Sequence, residues 1–272
     1  VSSRSVDLVI TDLDGTLWTS EGEILPVVLD AWRQIERAGL GILVATGRRL
    51  ASTRALLEVH GLAPPAVLLD GAIGVALENG ERFHERSISR VAATEILGLF
   101  IDLGLSPVVY VDSPETDVFV SDHPSTHPGH LALFGDDASV ADLETVVRTE
   151  RVLAFGLVGV DRGAAEAIER AVVAAGCAEA RVNPSFDFGG CSLTVVGRGI
   201  SKWDGILAFC AANGLDPART LAIGDGSNDV EMLTNAGLSF SLVGSSDRAL
   251  AAASHVVGPA ISGGWAEILA YL

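Results

Sequence analysis

The sequence predicts an α/β protein: a doubly wound, parallel-sheet core interrupted by an inserted α+β domain. Three observations predict it. Towards both ends of the chain, short continuous apolar segments alternate with helix-like ones, the pattern of strands buried on both faces. In the middle, the strand-like segments carry more polar interruptions and suggest hairpins. The chain has 272 residues, 49% hydrophobic and 19% charged, which is enough for two domains and too apolar for a disordered polymer.

The elements follow in order. VDLVITD (6–12) reads as a first buried strand. PVVLDAWRQIERAG (26–39) reads as a helix, with Pro26 in the first turn, where a missing N–H is harmless, and Gly39 past the end. GILVATG (41–47) is a second strand, LASTRALLEVHG (50–61) a helix closed by Gly61, and AVLLDG (66–71) a third strand. In the middle, ERFHERSI, SPVVYVD, DVFVSD, LALFGD, RVLAFGLVGV and SLTVVG are strand candidates, with helices expected at 89–104, 137–149 and 161–176. Helix SKWDGILAFCAANG (201–214), strand TLAIGDG (220–226), helix NDVEMLTNAG (228–237) and strand LSFSLV (238–243) follow. DRALAAASH and GGWAEILAYL read as the last two helices. Residues 1–79 and 191–272 are therefore expected to form the core and 80–190 the insertion, crossing at the Gly-bearing turns ENGER (78–82) and PSFDFGG (184–190).

The formal net charge of −17 would be repelled by a phosphate backbone, so no nucleic-acid partner is expected. No segment approaches the ~20 apolar residues that span a bilayer, and VSSRSVDLVI lacks the apolar run of a secretory signal. Cys177, Cys191 and Cys210 are odd in number and widely spaced, with no zinc or disulfide pattern. A cytoplasmic location and no membrane partner are expected; nothing in the sequence speaks to oligomeric state.

Four places carry chemistry, each at a strand end or a helix start, where ligands of open α/β sheets bind. Asp12-Leu13-Asp14-Gly15-Thr16 ends the first strand. Ala45-Thr46-Gly47-Arg48 ends the second, and a Thr hydroxyl with backbone N–H groups at a helix start can hold a phosphate. Lys202 is the only lysine, all seventeen other basic residues being arginine, and it opens a helix. A cation there opposes the helix dipole, so carboxylates or a bound phosphate must compensate. Gly224-Asp225-Gly226-Ser227-Asn228-Asp229 is an acidic loop of hard oxygen donors suited to Mg²⁺.

In this order, DLDGT, Thr46, Lys202 and GDGSND resemble the four motifs of the haloacid dehalogenase superfamily of phosphohydrolases, with its Rossmann-like core. Only 31 residues separate Asp14 from Thr46, but 155 separate Thr46 from Lys202. That spacing resembles the branch with a large α/β cap inserted after the third core strand. The branch includes Cof-type sugar phosphatases, sucrose-phosphate and mannosyl-3-phosphoglycerate phosphatases, and eukaryotic-type phosphomannomutases.

The resemblance implies a Mg²⁺-dependent phosphatase of a small phosphorylated metabolite, such as a sugar, polyol or glycerate phosphate. Asp12 would be the nucleophile, forming an aspartyl-phosphate, and Asp14 the acid and base, with a pKa above that of a free Asp. Mg²⁺ would bind Asp12, the Asp14 backbone carbonyl, Asp225 and Asp229. Thr46, Gly47, Arg48, Lys202 and Asn228 would bind the phosphoryl group, Asn228 having Lys202, the phosphate or the leaving group as possible partners. The insertion would read the leaving group, with candidates His123 (in the stretch Asp122–His130), Arg181, Asn183 and Ser185. Two departures from the branch are Asp70-Gly71-Ala72, where Asn-Gly-Ala is common, and Gly244-Ser245-Ser246, where an Asn-Ala pair is common. The extra carboxylate of Asp70 would repel a phosphate or bind a sugar hydroxyl. Alternatives are a phosphotransferase on the same core, a phospho-acceptor signalling domain and a non-catalytic binding protein.

Overall fold

The computed structural model describes residues 6–19, 22–113, 116–185 and 188–272. The chain divides into two compact units, Val1–Glu85 with Ser201–Leu272, and Arg86–Ile200. The first unit begins with β1 (Leu8–Thr11), α1 (Pro26–Arg37), β2 (Gly41–Ala45), α2 (Leu50–Glu58), β3 (Pro65–Leu68), β4 (Ile73–Ala76) and β5 (Arg82–Glu85). The second contains α3 (Arg90–Asp102), β6 (Val108–Val111), β7 (Val118–Val120), α4 (Pro128–Ala132), β8 (Ala138–Val140), α5 (Leu143–Thr149), β9 (Val152–Val160), α6 (Arg162–Ala175), β10 (Ala178–Pro184) and β11 (Cys191–Gly197). The chain returns to the first unit with α7 (Lys202–Asn213), β12 (Thr220–Ile223), α8 (Val230–Asn235), β13 (Leu238–Leu242), α9 (Asp247–Ala252) and β14 (His255–Val257).

The sheet of the first unit runs β14-β13-β12-β1-β2-β3-β4-β5. It is parallel from β14 to β3, and β4 and β5 add an antiparallel edge. Alternation along the strands sends side chains to two covered faces. Leu8, Ile10, Leu43, Ala45, Val67 and Ala222 pack with Ile206, Cys210, Met232, Leu233 and Ala249 of α7, α8 and α9. On the opposite face, Thr11 Oγ1 accepts from the Trp265 indole at 2.9 Å, and Trp265 stacks on Trp32 of α1 with ring centroids 6.1 Å apart. Helices cover both faces of a largely parallel sheet, as the apolar strands predict.

The sheet of the second unit runs β10-β11-β9-β6-β7-β8, with only β7 and β8 parallel. Apolar residues of α3, α5 and α6, among them Phe100, Val146 and Ile168, pack on Val109, Phe155, Leu157, Leu193 and Val195. The starts of these helices are capped by Ser89, Asp142 and Asp161.

Several expectations are corrected. β5 belongs to the first sheet and β11 to the second, so the units divide after Glu85 and Ile200, not at 80 and 190. Residues 186 and 187 of the expected second crossing lie outside the described residues. LALFGD is not a strand: Leu131 and Ala132 end α4, and a 3₁₀ turn follows at Gly135–Asp137. The helix expected over 137–149 starts only after the Asp142 cap, leaving Ala138–Val140 free to pair with β7. α2 ends at Glu58, and GGWAEILAYL forms a 3₁₀ helix over Gly264–Tyr271. The strands β4, β10 and β14 are too short or too polar to have stood out.

Candidate active site

β12, β1 and β2 are parallel neighbours, so their carboxyl ends open onto one edge of the sheet. Asp12 and Thr46 directly follow β1 and β2, and Asp225 comes one residue further on, after Gly224, beyond β12. The backbone N–H of Asp12 still donates to Ile223 O at 3.0 Å, which fixes the aspartate to the end of the β-ladder. The chain then turns through Gly15 at φ 75°. A Cβ there would lie 2.6 Å from Asp225 Oδ2, so glycine is needed both for the turn and for the approach of the two acidic loops. Thr16 closes the same contact by donating its hydroxyl to Asp225 Oδ1 at 3.0 Å.

Lys202 joins this group from the start of α7, where Ser201 and Asp204 form a reciprocal capping box. Its ammonium is fully buried and donates to Asp12 Oδ1 at 2.7 Å and to Asp229 Oδ1 at 2.6 Å. These carboxylates meet the need for anionic compensation that the sequence raises. Burial works against the charge of Lys202, but Asp12, Asp229 and Asp70 outweigh it and hold the ammonium well above its ordinary pKa. Asp229 turns its other oxygen to the backbone N–H groups of Asp225 and Gly226, at 2.9 and 2.8 Å. One buried carboxylate thus sets the shape of the GDGSND loop and anchors the lysine.

Asp12, Asp225 and Asp229 each bring a carboxylate oxygen within 4.8 Å of the others. Such a crowd of acids is unfavourable by itself. Burial pushes the Asp12 carboxyl well above its ordinary value, with Lys202 opposing and Asp229, Asp225 and Asp14 adding to the rise. Burial, then Asp229, pushes Asp225 up to about 7, against the Thr16 hydrogen bond and Lys202. Hard oxygens that resist carrying their charges unaided fit a divalent cation, which would relieve the repulsion.

Asp14 stands apart from this trio. Its carboxylate accepts from Arg48 Nε at 2.7 Å, Arg48 Nη2 at 2.5 Å and the Trp18 indole at 3.1 Å, and the guanidinium lies 5.5 Å from the Trp18 ring centre. Burial alone would raise its pKa. The hydrogen bonds and charge of Arg48, with Trp18, outweigh burial and hold it below the ordinary carboxylate value. The expected elevation is therefore corrected: the sequence places Arg48 two residues after Thr46 but does not reveal its fork onto Asp14.

Thr46 is buried, and its hydroxyl accepts from the Arg48 backbone N–H at 3.2 Å, shaping the Thr46-Gly47-Arg48 turn. Asn228 donates its amide to Asp70 Oδ1 at 2.8 Å, a partner not among the three expected. Asp70 itself is buried, so it does not stand open as a site for a sugar hydroxyl. Sequence reading missed Thr16 and Trp18 as supports. Thr16 lies inside a recognised motif, whereas nothing in the sequence marks Trp18.

The candidates of the second unit do not form one cluster. Arg181 and Asn183 lie on the edge strand β10 and Ser185 just beyond it, while His123 follows β7, with β11, β9 and β6 between. Arg181 Nη2 donates to Ile200 O at 2.9 Å. His123 is exposed and lines a cavity of about 470 Å³ with Ser121, Asp122 and Leu143.

The sequence pattern of haloacid dehalogenase-like hydrolases matches residues 9–269. The chain belongs to this family. It is a phosphoric monoester hydrolase of small phosphorylated molecules. Hydrolases of this family generally use a divalent metal, and the trio Asp12, Asp225 and Asp229 is an acidic cluster of the kind that could hold one. Among curated relatives, the pyridoxal phosphate phosphatase YbhA of Escherichia coli is 23% identical over 264 residues, covering 92% of this chain and 93% of that one. A phosphoglycolate phosphatase of Methanopyrus kandleri is 25% identical over 232 residues, covering 85% and 82%. A haloacid dehalogenase-like hydrolase from B. subtilis shares the fold with a TM-score of 0.80 at 18% identity, covering 98% of this chain and 100% of that one. A sugar phosphatase of subclass IIB in the same superfamily gives 0.80 at 19% identity and 98% coverage of both chains. Among the described residues no helix is long and apolar enough to cross a membrane.

Proposed function

We propose that the chain is a Mg²⁺-dependent phosphatase of a small phosphorylated metabolite, a sugar or polyol phosphate before others, acting through an aspartyl-phosphate on Asp12. The observation that carries this reading is the buried Lys202 ammonium held between Asp12 and Asp229, with Asp225 alongside. A phosphate dianion approaching Asp12 meets strong repulsion unless cations stand beside it. Lys202 is one such cation. Asp12, Asp225 and Asp229, with the Asp14 backbone carbonyl, would hold Mg²⁺, which supplies charge neutralisation between nucleophile and phosphoryl oxygen when bound.

A carboxylate oxygen of Asp12 attacks phosphorus as the ester P–O bond breaks. The departing oxygen takes a proton from Asp14. Asp14 then removes a proton from the water that opens the acyl-phosphate, which frees Asp12 and inorganic phosphate. Arg48 must release Asp14 before Asp14 can carry that proton, because the fork stabilises the ionised form. An anionic substrate offers Arg48 another partner. Thr46 and the backbone of Gly47 bind a further phosphoryl oxygen. Substrate choice is assigned to the inserted unit, through His123, Arg181, Asn183 or Ser185. Three free cysteines fit a reducing, cytoplasmic setting.

The test is phosphate release from a panel of sugar and polyol phosphates, phosphoglycolate and pyridoxal phosphate, with Mg²⁺, with EDTA, and with Asp12→Asn. Release that needs both Mg²⁺ and Asp12 supports the reading. Release that persists in Asp12→Asn overturns the nucleophile, and turnover that appears only with a sugar bisphosphate favours a phosphotransferase.

A further inference from the structure

Leu69 and Asp70 are the only non-glycine residues with positive φ among the described residues, at 48° and 52°. Aspartate tolerates this region better than most residues, but leucine does not, and such backbone persists only where its surroundings hold it. Here they do so from three sides. The N–H groups of Leu69 and Asp70 donate to Arg48 O and Thr46 O, both at 3.1 Å. Gly71 lies so close to Ser201 that a Cβ would fall 1.9 Å from its carbonyl oxygen, which seats the turn against the start of α7. The Asp70 carboxylate accepts from the Asn228 amide at 2.8 Å. The turn therefore touches the Thr46 loop, the helix that carries Lys202 and the loop that carries Asp229.

We propose that Asp70 is a positioning residue that fixes the orientation of Asn228 in the phosphoryl site. The Asp70 oxygen accepts from the NH₂ end of Asn228, and this bond holds the amide in one of its two flips. An asparagine at position 70 has both a donor and an acceptor and would allow either flip. Asp70 is 1% exposed, and its carboxylate lies against Gly47, where an added Cβ would come within 3.3 Å of Oδ1. It does not touch the substrate; besides its charge facing Lys202, it acts on the reaction through Asn228. The inference rests on the phosphatase reading for its kinetic arm only.

The experiment compares Asp70→Gly and Asp70→Asn, both compatible with the left-handed backbone, and Asn228→Ala alone and combined with Asp70→Gly. Loss of a hydrogen bond to a charged acceptor is expected to lower kcat about tenfold or more in Asp70→Gly, with KM changed less. Asp70→Asn keeps an acceptor oxygen but permits either flip, and is expected to recover only part of that loss. In the Asn228→Ala background, Asp70→Gly is expected to cost clearly less than it does alone, which a merely structural role would not produce. The side-chain amide signals of Asn228, assigned by their loss in Asn228→Ala, are expected to shift in Asp70→Gly. Unshifted amide signals, wild-type turnover in Asp70→Gly, or losses that multiply in the double variant would each overturn the proposal. A wild-type chain inactive on every phosphate tested would count against the phosphatase reading, and the amide signals alone would then decide the role of Asp70.

Discussion

The two units use polar side chains in opposite ways. In the first, the polar groups proposed for the reaction are buried or half-buried and bonded to one another: Lys202 to Asp12 and Asp229, Asp225 to Thr16, Asn228 to Asp70. In the second, the apolar core is extensive, but the polar candidates fall in two separate places: Arg181, Asn183 and Ser185 at the edge strand β10, and His123, exposed, after β7. A reaction centre built at strand ends is over-determined, because each group also shapes the loop that carries another. Residues on an exposed rim can change without disturbing the sheet beneath. The difference explains why one set of residues can be read from a sequence and the other cannot.

Breaking the first network should have the largest effect. Lys202→Met leaves Asp12 and Asp229 buried without their shared cation, a loss of about 3–5 kcal/mol in unfolding free energy. Urea denaturation should show this, and phosphate release should vanish. Next comes Asp14→Asn, which keeps shape but cannot exchange the proton; turnover is expected to fall by about 10²–10⁴-fold, while substrate still protects the chain in a thermal melt. Full activity in this variant would remove Asp14 from the mechanism.

The acidic trio gives a smaller, pH-dependent effect in the metal-free chain. Asp225 titrates near about 7 when folded, against an ordinary 3.8. Between those values the folded state holds the extra proton, so stability falls as pH rises through that window. Asp12 is raised as well and acts in the same direction. If the trio holds Mg²⁺, the ion takes the deprotonated carboxylates and should raise Tm more at about pH 8 than at about pH 5. Equal shifts at both would mean that the trio does not hold the ion. The smallest change is expected in the second unit. His123→Ala should leave Tm within a degree or so, as exposed substitutions usually do, and alter KM for some substrates of the panel but not others.

Much of the first unit was legible because its signals are local. Apolar runs mark the parallel strands, and the DLDGT and GDGSND segments fall directly after two of them. The single lysine stood out because arginine fills every other basic position. What remained hidden depends on distance along the chain. The Arg48 fork on Asp14 and the Asn228 bond to Asp70 join residues 34 and 158 positions apart. The sign of the Asp14 shift follows from the first of these, so it could not be read from composition. In the second unit, Leu131 and Ala132 read as strand residues in the sequence because nothing apolar and periodic marks a five-residue helix. His127, whose Nδ1 accepts from the Gly129 N–H at 3.0 Å, replaces the usual Ser, Thr, Asn or Asp at its start.

Because the sole lysine of these 272 residues has a fully buried side chain, the folded chain presents no lysine amine to solvent. Amine-directed acylating reagents should therefore leave its side chains unlabelled until the chain opens. Incorporation at Lys202, followed by mass spectrometry, then becomes a one-residue clock for the opening of the Asp12–Lys202–Asp229 cluster. Substrate or Mg²⁺ should slow that clock, and a variant with a loosened Asp12–Lys202–Asp229 triad should run it fast even where its melting curve looks ordinary.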